Sequence, residues 1–441
     1  MFTNHIAALQ NILNNVILPI NHDDNIIKEE QEIEMIEFLS EIIYDLVISD
    51  PMEYINPNFH EKIVDEVEEF AIEQFKDLYN VHDNEFIEEL AIIIEKSMNL
   101  FYRHIAPIRS YLTTFIRINP NVEVMRKKIE YLQNIPQPEQ KTNEWYNFRH
   151  KVLTASSIWK VFGTPGSKNQ LIYDKCSPIN LDKYKNVSTE TAMHWGTKYE
   201  HISVKIYEDK FNTKISEFGC IPHKNIQFIA ASPDGINTLE TSDRYGRMLE
   251  VKNIVNREIN GNPKMEYWIQ MQVQMEVCNL NECDFLETRF TEYESVEEFK
   301  EDGSFSLANN GMLKGIIIYF NNNGQPLYEY MPLNISEEDF IIWEKNIMEK
   351  HSNLSWMKNI YWKLDELSCV LVLRNKLWFN FAKPILNDFW NLIEYEKING
   401  YSHRAPNKRI KIINNEITTN KCLINIEQFN NIIKLEENTC E

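Results

Sequence analysis

Residues 228–252 read FIAASPDGINTLETSDRYGRMLEVK, and the two ends of this stretch decide the fold. Phe228–Ala231 is a short apolar run of the kind that forms a buried strand. Ser-Pro-Asp-Gly at 232–235 is turn chemistry. Arg247–Lys252 predicts a second strand. Side chains alternate along a strand, so Leu249 and Val251 face a core while Glu250 and Lys252 leave together on the other side. A carboxylate and an amine so placed form an ordinary surface ion pair of little worth. Asp234 alters that reading. A turn at the end of the first strand brings it beside Glu250, and two carboxylates then converge with a backbone carbonyl. Hard oxygen donors of this kind suit Mg²⁺ or Mn²⁺. Without a cation, like charges so close would raise one carboxyl pKa. Lys252 beside them can orient a water or stabilise charge developing on a phosphate.

Working outward, the spacing predicts a long helix over 188–211 carrying Glu200, placed to complete the cation's ligands from the side. Strands are expected at 215–221, 284–290, 312–320 and 327–331, with a helix over 265–277 between them. Short helices are expected over 143–149 and 154–162, the second capped by Thr154. That order gives an α/β core, a mixed central sheet flanked by helices.

The pieces around the two strands resemble a known family. Asp234…Glu250-Val-Lys252 resembles the PD-(D/E)xK nuclease signature, which implies a restriction-endonuclease-like core. Four further pieces narrow the resemblance to the lambda-exonuclease-like branch with its YqaJ-like viral recombinases and alkaline exonucleases. They are Arg149 seven residues before Ser156 in Leu-Thr-Ala-Ser, Gly196-Thr-Lys-Tyr-Glu200, Ser232-Pro-Asp-Gly235 and Tyr267-x-x-Gln-x-Gln272. The resemblance covers about residues 140–335. It implies that Glu200, Asp234, Glu250 and the Val251 carbonyl hold the metal, and that Lys252 is the catalytic lysine. It also implies that Arg149, Ser156, Ser232 and Gln270 line a pocket for a terminal 5′-phosphate. Arginine suits that task through its planar fork, and Ser156 near a helix start through its backbone N–H groups. The blander alternatives are a surface arginine, a second helix-start serine, and a solvated stripe formed by Gln270, Gln272 and Gln274.

Other residues invite weaker readings. His194 and His201 flank Glu200, but hard-metal sites rarely need imidazole, so packing or substrate contact is expected of them. Trp145, Trp159 and Trp195 are expected in the core, with Trp195 the candidate for stacking on a base. Lys160, Lys168, Lys175, Lys183 and Lys185 form a basic stretch that can follow a phosphate backbone.

The chain has 441 residues, long enough for two or three domains, and a formal net charge of −21. Such a charge argues against a nucleic-acid partner only if it is evenly spread. It is not: residues 1–100 hold 23 Asp and Glu against 4 Lys, whereas the rest is nearly balanced. Apolar residues at helical spacing within 30–47, 59–79 and 85–105 predict an acidic all-helical domain at 1–135. The expected organisation continues with a nuclease core at 136–335, C-terminal helices packing on it at 336–400 and a peripheral tail at 401–441. The prolines and polar residues of 135–143 suggest a linker. Seven cysteines without a Cys-x-x-Cys pair read as reduced thiols. Neither a signal peptide nor a membrane-length apolar run is evident, so an intracellular protein is expected, not secreted, in host cytoplasm or at a viral replication site.

Together these readings anticipate a Mg²⁺-dependent deoxyribonuclease, with Mn²⁺ able to substitute; the resemblance further implies digestion of duplex DNA ends 5′ to 3′ in viral recombination, repair or genome processing. A structure-specific endonuclease and a non-catalytic DNA-end scaffold with an acidic docking domain are the alternatives. A single-strand-annealing or other recombination protein is a conceivable partner, as is a second copy of the chain, with no membrane involved. The Asn-, Ile- and Lys-rich composition fits an AT-rich genome such as that of a large DNA virus.

Overall fold

The computed structural model describes residues 26–112, 121–181, 189 and 191–406. Ten strands occur among them: β1 (Leu153–Thr154), β2 (Ile215–Ser216), β3 (Ile221–Pro222), β4 (Ile229–Ala231), β5 (Gly235–Asn237), β6 (Met248–Asn253), β7 (Glu282–Glu292), β8 (Lys314–Asn322), β9 (Gln325–Tyr330) and β10 (Ser355–Leu373). The helices are α1 (Glu29–Ser49), α2 (Phe59–Phe75), α3 (Asn84–His104), α4 (Val122–Asn134), α5 (Asn143–His150), α6 (Ala155–Phe162), α7 (Pro165–Cys176), α8 (Ala192–Lys210), α9 (Met265–Cys278), α10 (Val296–Glu301), α11 (Glu337–Lys350) and α12 (Lys376–Asn399).

Seven strands form one mixed sheet in the order β2-β5-β6-β7-β10-β8-β9, and β1-β4-β3 form a small second sheet. Only β6 and β7 pair in parallel in the large sheet. Parallel neighbours need a crossover, and α9 supplies it between them. The expected α/β core with a mixed sheet is therefore present, beside a helical N-terminal region.

Three expectations need correction. Residues 215–221 are not one strand: β2 joins the large sheet and β3 the small one. Residues 336–400 are not only helices. Between α11 and α12 runs β10, the longest strand, hydrogen-bonded to β7 on one side and β8 on the other. Its polar members find partners across the sheet, as Glu366 does with Arg289 at 2.8 Å. The basic stretch also changes character. Lys168 is exposed, but Lys175 is buried and donates to the Arg149 carbonyl at 2.6 Å. Lys183 and Lys185 lie outside the described residues, as do 1–25 and the tail beyond 406.

Two helices cover opposite faces of β6. Leu249 and Val251 pack with Tyr207 of α8, Ile215 and Leu286. On the far side α9 is buried nearly all round, through Trp268, Ile269, Met271, Val273 and Met275. Below the sheet's start, Asp284 accepts from Tyr207 Oη at 2.6 Å and pairs with Arg244 and with Arg247 at 3.1 Å. Arg247 also meets Glu282 at 2.9 Å. All four charges are buried.

The acidic helices share this core. One apolar cluster runs from Ile36 and Ile43 of α1 through Phe86 and Phe101 of α3 to Trp268, Phe285, Trp378 and Ile393. Tyr54 and Trp268 are parallel at 6.3 Å between ring centres. Buried Arg109 ties the two parts together: it donates to the Tyr54 carbonyl at 2.9 Å, the Ile55 carbonyl at 3.3 Å and the Pro263 carbonyl at 2.9 Å. The texture change at 135–143 thus marks no gap in packing. Arg109→Met should cost about 3 kcal/mol or more, because each lost charge-assisted bond is worth ~1.5–3 kcal/mol. A urea midpoint close to that of the parent chain would refute that role.

Candidate active site

The geometry begins with Gly235. A Cβ there would lie 2.1 Å from the Ile215 side chain, so only glycine lets β5 pack on β2 at this point. Ser232, Pro233 and Asp234 form the crossing from β4 in the small sheet to β5 in the large one. Gly235 pairs with Leu249 in the antiparallel register. Asp234 is therefore set opposite Glu250, and its Oδ2 accepts the Val251 N–H at 2.8 Å.

Glu250 is fully buried at 0% exposure. Its Oε1 is ion-paired with Lys252 and accepts from Gln270 Nε2 at 2.7 Å; its Oε2 accepts from Gln274 Nε2 at 2.8 Å. Burial pushes the Asp234 carboxyl well above its ordinary value, and the charge of Glu250 adds to that. Burial also raises Glu200, with the neighbouring lysines Lys141 and Lys252 opposing it. Burial acts to lower Lys252, but Glu250 and Asp234 outweigh it and hold its ammonium above the usual lysine range.

Glu200 comes from α8, whose start is capped by Thr191 Oγ1 accepting from His194 N–H at 3.2 Å. The helix is fastened to the end of β6 by Asn253, which donates to the Gly196 carbonyl at 2.8 Å and accepts from Ser203 Oγ at 2.7 Å. Glu200 and Asp234 line one groove of about 920 Å³, together with Lys141, Lys205, Lys214 and Tyr328. Both histidines lie along it. His194 Nε2 bonds Tyr328 Oη at 2.6 Å, and the His201 ring stacks on Tyr330 at 4.7 Å. They brace the edge strand β9 and do not join the carboxylates.

Three of the four residues assigned to a phosphate pocket are joined directly. Arg149 Nη2 donates to Ser156 Oγ at 3.0 Å, and its guanidinium lies 4.2 Å from the Trp145 ring centre. Trp145 Nε1 donates to Ser232 Oγ at 3.2 Å. Arg149, Ser156 and Ser232 therefore form one connected group through Trp145. Gln270 bonds Glu250 instead, and Gln274 links the two groups, donating to the Ser232 carbonyl at 3.4 Å and to Glu250 at 2.8 Å. The solvated-stripe alternative also fails, since Gln272 and Gln274 are buried. Gln272 holds the start of α12 instead, donating to the Leu373 carbonyl at 3.0 Å and accepting the Asn375 N–H at 2.6 Å.

Trp145, Gln274 and Lys141 were not among the expected site residues. For Gln274 a signal existed, because i,i+4 spacing from Gln270 puts both on one helix face. Trp145 offered only its place four residues before Arg149. Trp195 is partly buried in an apolar cluster, with its ring 4.6 Å from that of Tyr199 and 4.4 Å from the Lys198 ammonium.

Asp234, Glu250 and Glu200 form a hard-oxygen donor set whose two innermost members repel one another, and buried Gln274 Oε1 beside them lacks a partner. That chemistry fits a divalent cation. The side chains are not yet arranged around one: among the described residues no three His, Cys, Asp or Glu groups are disposed to hold a metal ion. Glu250 spends its oxygens on Lys252 and two glutamines, and would have to exchange the lysine for the ion.

Residues 144–281 match the family model described as the YqaJ-like viral recombinase domain. An uncharacterized protein of Acanthamoeba polyphaga mimivirus is 32% identical over 334 residues, covering 66% of this chain. The chain spans 58% of that relative's length. An alkaline exonuclease from Laribacter hongkongensis aligns with a TM-score of 0.34 at 19% identity, over 58% of this chain and 95% of the exonuclease. Its complex with dAMP aligns over the same shares with a TM-score of 0.33 and the same identity. No described helix is long and apolar enough to cross a membrane.

Proposed function

We propose, from the match of residues 144–281 to the YqaJ-like viral recombinase domain model, that the protein is a divalent-cation-dependent deoxyribonuclease acting on duplex ends. The observation that carries this reading is the placement of Asp234 across from Glu250, with Lys252 on the same face of β6. Asp234, Glu250, Glu200 and the Val251 carbonyl would hold Mg²⁺, with Mn²⁺ as a substitute. Such a cation lowers the pKa of a water and polarises a phosphate oxygen. Lys252 keeps its proton and orients the attacking water or steadies charge on the phosphate. Gln270 and Gln274 fix the Glu250 carboxylate from α9.

Digestion from a 5′ end is the favoured mode, since Arg149, Ser156 and Ser232 offer a guanidinium and two hydroxyls to a terminal phosphate. Arg149 is already held in plane by Trp145 and Ser156. The family's description supports a role in viral DNA recombination, with DNA ends as the substrate.

The test is an end-labelled duplex carrying 5′-phosphate or 5′-hydroxyl, run beside circular DNA, with Mg²⁺ or with EDTA. Loss of 5′-label from linear duplex only, and only with Mg²⁺, is expected. Nicking of circles would move the assignment to an endonuclease, and binding without hydrolysis to a scaffold. Arg149→Ala should lower the rate on 5′-phosphorylated ends by about tenfold or more, as loss of a charge-assisted contact does, and leave 5′-hydroxyl ends nearly unchanged. Equal losses on both ends would remove the phosphate pocket from the reading.

A further inference from the structure

Cation binding at Glu250 raises the question of where Lys252 goes. Its ammonium is ion-paired with Glu250 Oε1, an oxygen the ion would need. A divalent cation and an ammonium cannot share one carboxylate oxygen without strong repulsion. Lys252 must therefore leave while remaining close enough to act.

The strand beside it provides a place. Lys252 of β6 is in register with Glu287 of β7 in the parallel pair. Register partners on adjacent strands lie about 4.8 Å apart and project from the same face, well within the swing of a lysine side chain. Glu287 is 1% exposed. Its Oε1 is paired with Arg257, while its Oε2 is buried and has no hydrogen-bond partner. A buried carboxylate oxygen without a partner is costly, and native structures rarely leave one so without reason. The Tyr267 ring centre lies 5.1 Å from Lys252 Nζ and 5.5 Å from the Arg257 guanidinium, so both cations already border the same ring. The Arg257 backbone is anchored by Arg289, which donates to its carbonyl. Glu366 is nearby but engaged by Arg289 at 2.8 Å.

We propose that Glu287 is a positioning residue that receives the Lys252 ammonium when a divalent cation takes Glu250. The inference rests on the reading of Glu250 as a cation ligand. The lysine exchanges one carboxylate for the next on the same sheet face: it is paired to Glu250 in the cation-free chain and to Glu287 Oε2 in the loaded one. Glu287 thereby makes cation entry easier and keeps the catalytic ammonium at a fixed distance.

The measurement is Mn²⁺ binding by isothermal titration to the full chain without DNA. It compares the parent, Glu287→Gln, Lys252→Ala and the double variant, each with a thermal melt. Glu287→Gln should weaken Mn²⁺ by about tenfold, the lower end of what loss of an outer-sphere partner costs. In the Lys252→Ala background the same change should matter by less than about twofold, because no lysine needs a new partner. Glu287→Asp retains the charge and should recover most of the affinity, which also covers the case of a poorly folded glutamine variant. Equal weakening in both backgrounds, or none in either, would overturn the proposal while leaving the cation reading standing. No Mn²⁺ binding by the parent chain would overturn that reading and this one with it.

Discussion

Asp234→Asn should lower DNA cleavage by on the order of 10²–10³-fold, the usual loss when one electrostatic contributor to a reaction is removed, and should make the cation-free protein more stable at neutral pH. The two effects have one cause. Burial and the facing Glu250 hold the Asp234 carboxyl well above its ordinary pKa, so the folded chain binds that proton more tightly than the unfolded chain does. The stability this confers is fully present below the unfolded value of about 3.9. It is lost as pH rises through the raised folded value. Above the unfolded value the raised carboxyl is therefore a burden on the cation-free fold, which Lys252 offsets in part and a bound cation would relieve further. Asparagine keeps an oxygen for the Val251 N–H and carries no charge. Melting curves in EDTA at pH 7 and pH 4 check this: the variant should melt above the parent at pH 7, with the gap narrowing at pH 4. A variant that melts lower at pH 7, or one that still cleaves at the parent rate, would remove Asp234 from the proposed centre. Lys252→Ala should lose cleavage to a similar degree. Because Glu200 is raised as well, cleavage by the parent should fall as pH drops and both carboxylates take up protons.

The second large effect is structural. Asp284→Ala should destabilise the fold by about 3–5 kcal/mol, the range seen when one partner of a buried ion pair is removed. Asp284 is 1% exposed and accepts from Tyr207 Oη, Arg244 and Arg247. Without it, Arg244 loses its paired carboxylate inside the protein, and Arg247 keeps only Glu282. The site would suffer too, since Asp284 is the register partner of Leu249, next to Glu250. Asp284→Asn retains the acceptor oxygen and should cost less. Urea midpoints measure both. A drop under about 1 kcal/mol for the alanine variant would mean that water or Glu282 replaces the lost carboxylate.

The site was legible because its residues sit in short, dense pieces. Glu250 and Lys252 are two apart on one strand, and the Ser-Pro-Asp-Gly crossing lies directly before the strand that pairs with it. Period-two alternation and turn chemistry suffice to place such groups. The bond from Gln270 to Glu250 was not legible, because nothing in a helix's own sequence says whether its polar face meets Glu250 or a phosphate pocket. Glu287 escaped notice for a similar reason: its link to Lys252 exists only through the parallel register of β6 and β7. β10 was missed on different grounds. Its middle carries Lys358, Lys363, Asp365 and Glu366, which look solvent-facing, and a bulge between Leu364 and Glu366 breaks the alternation. The joining of the acidic helices to the core depends on Tyr54, Arg109 and Trp268, residues too far apart in sequence for any local pattern to connect.

The central place of β10 also bears on how the chain is made. A ribosome releases the site-bearing segment, through Gln274, about 100 residues before it completes Leu373, a delay of roughly 5–20 s at ordinary rates of synthesis. In the later part of that interval, once Asn322 is made, β7 and β8 exist but lack the strand that lies between them. Their edges are open to pairing with other chains. The nascent protein therefore passes through a period in which every residue of the proposed centre exists and the sheet that must hold them does not. Chains terminated before residue 355 should emerge insoluble, which a fractionation of in vitro translation products would reveal.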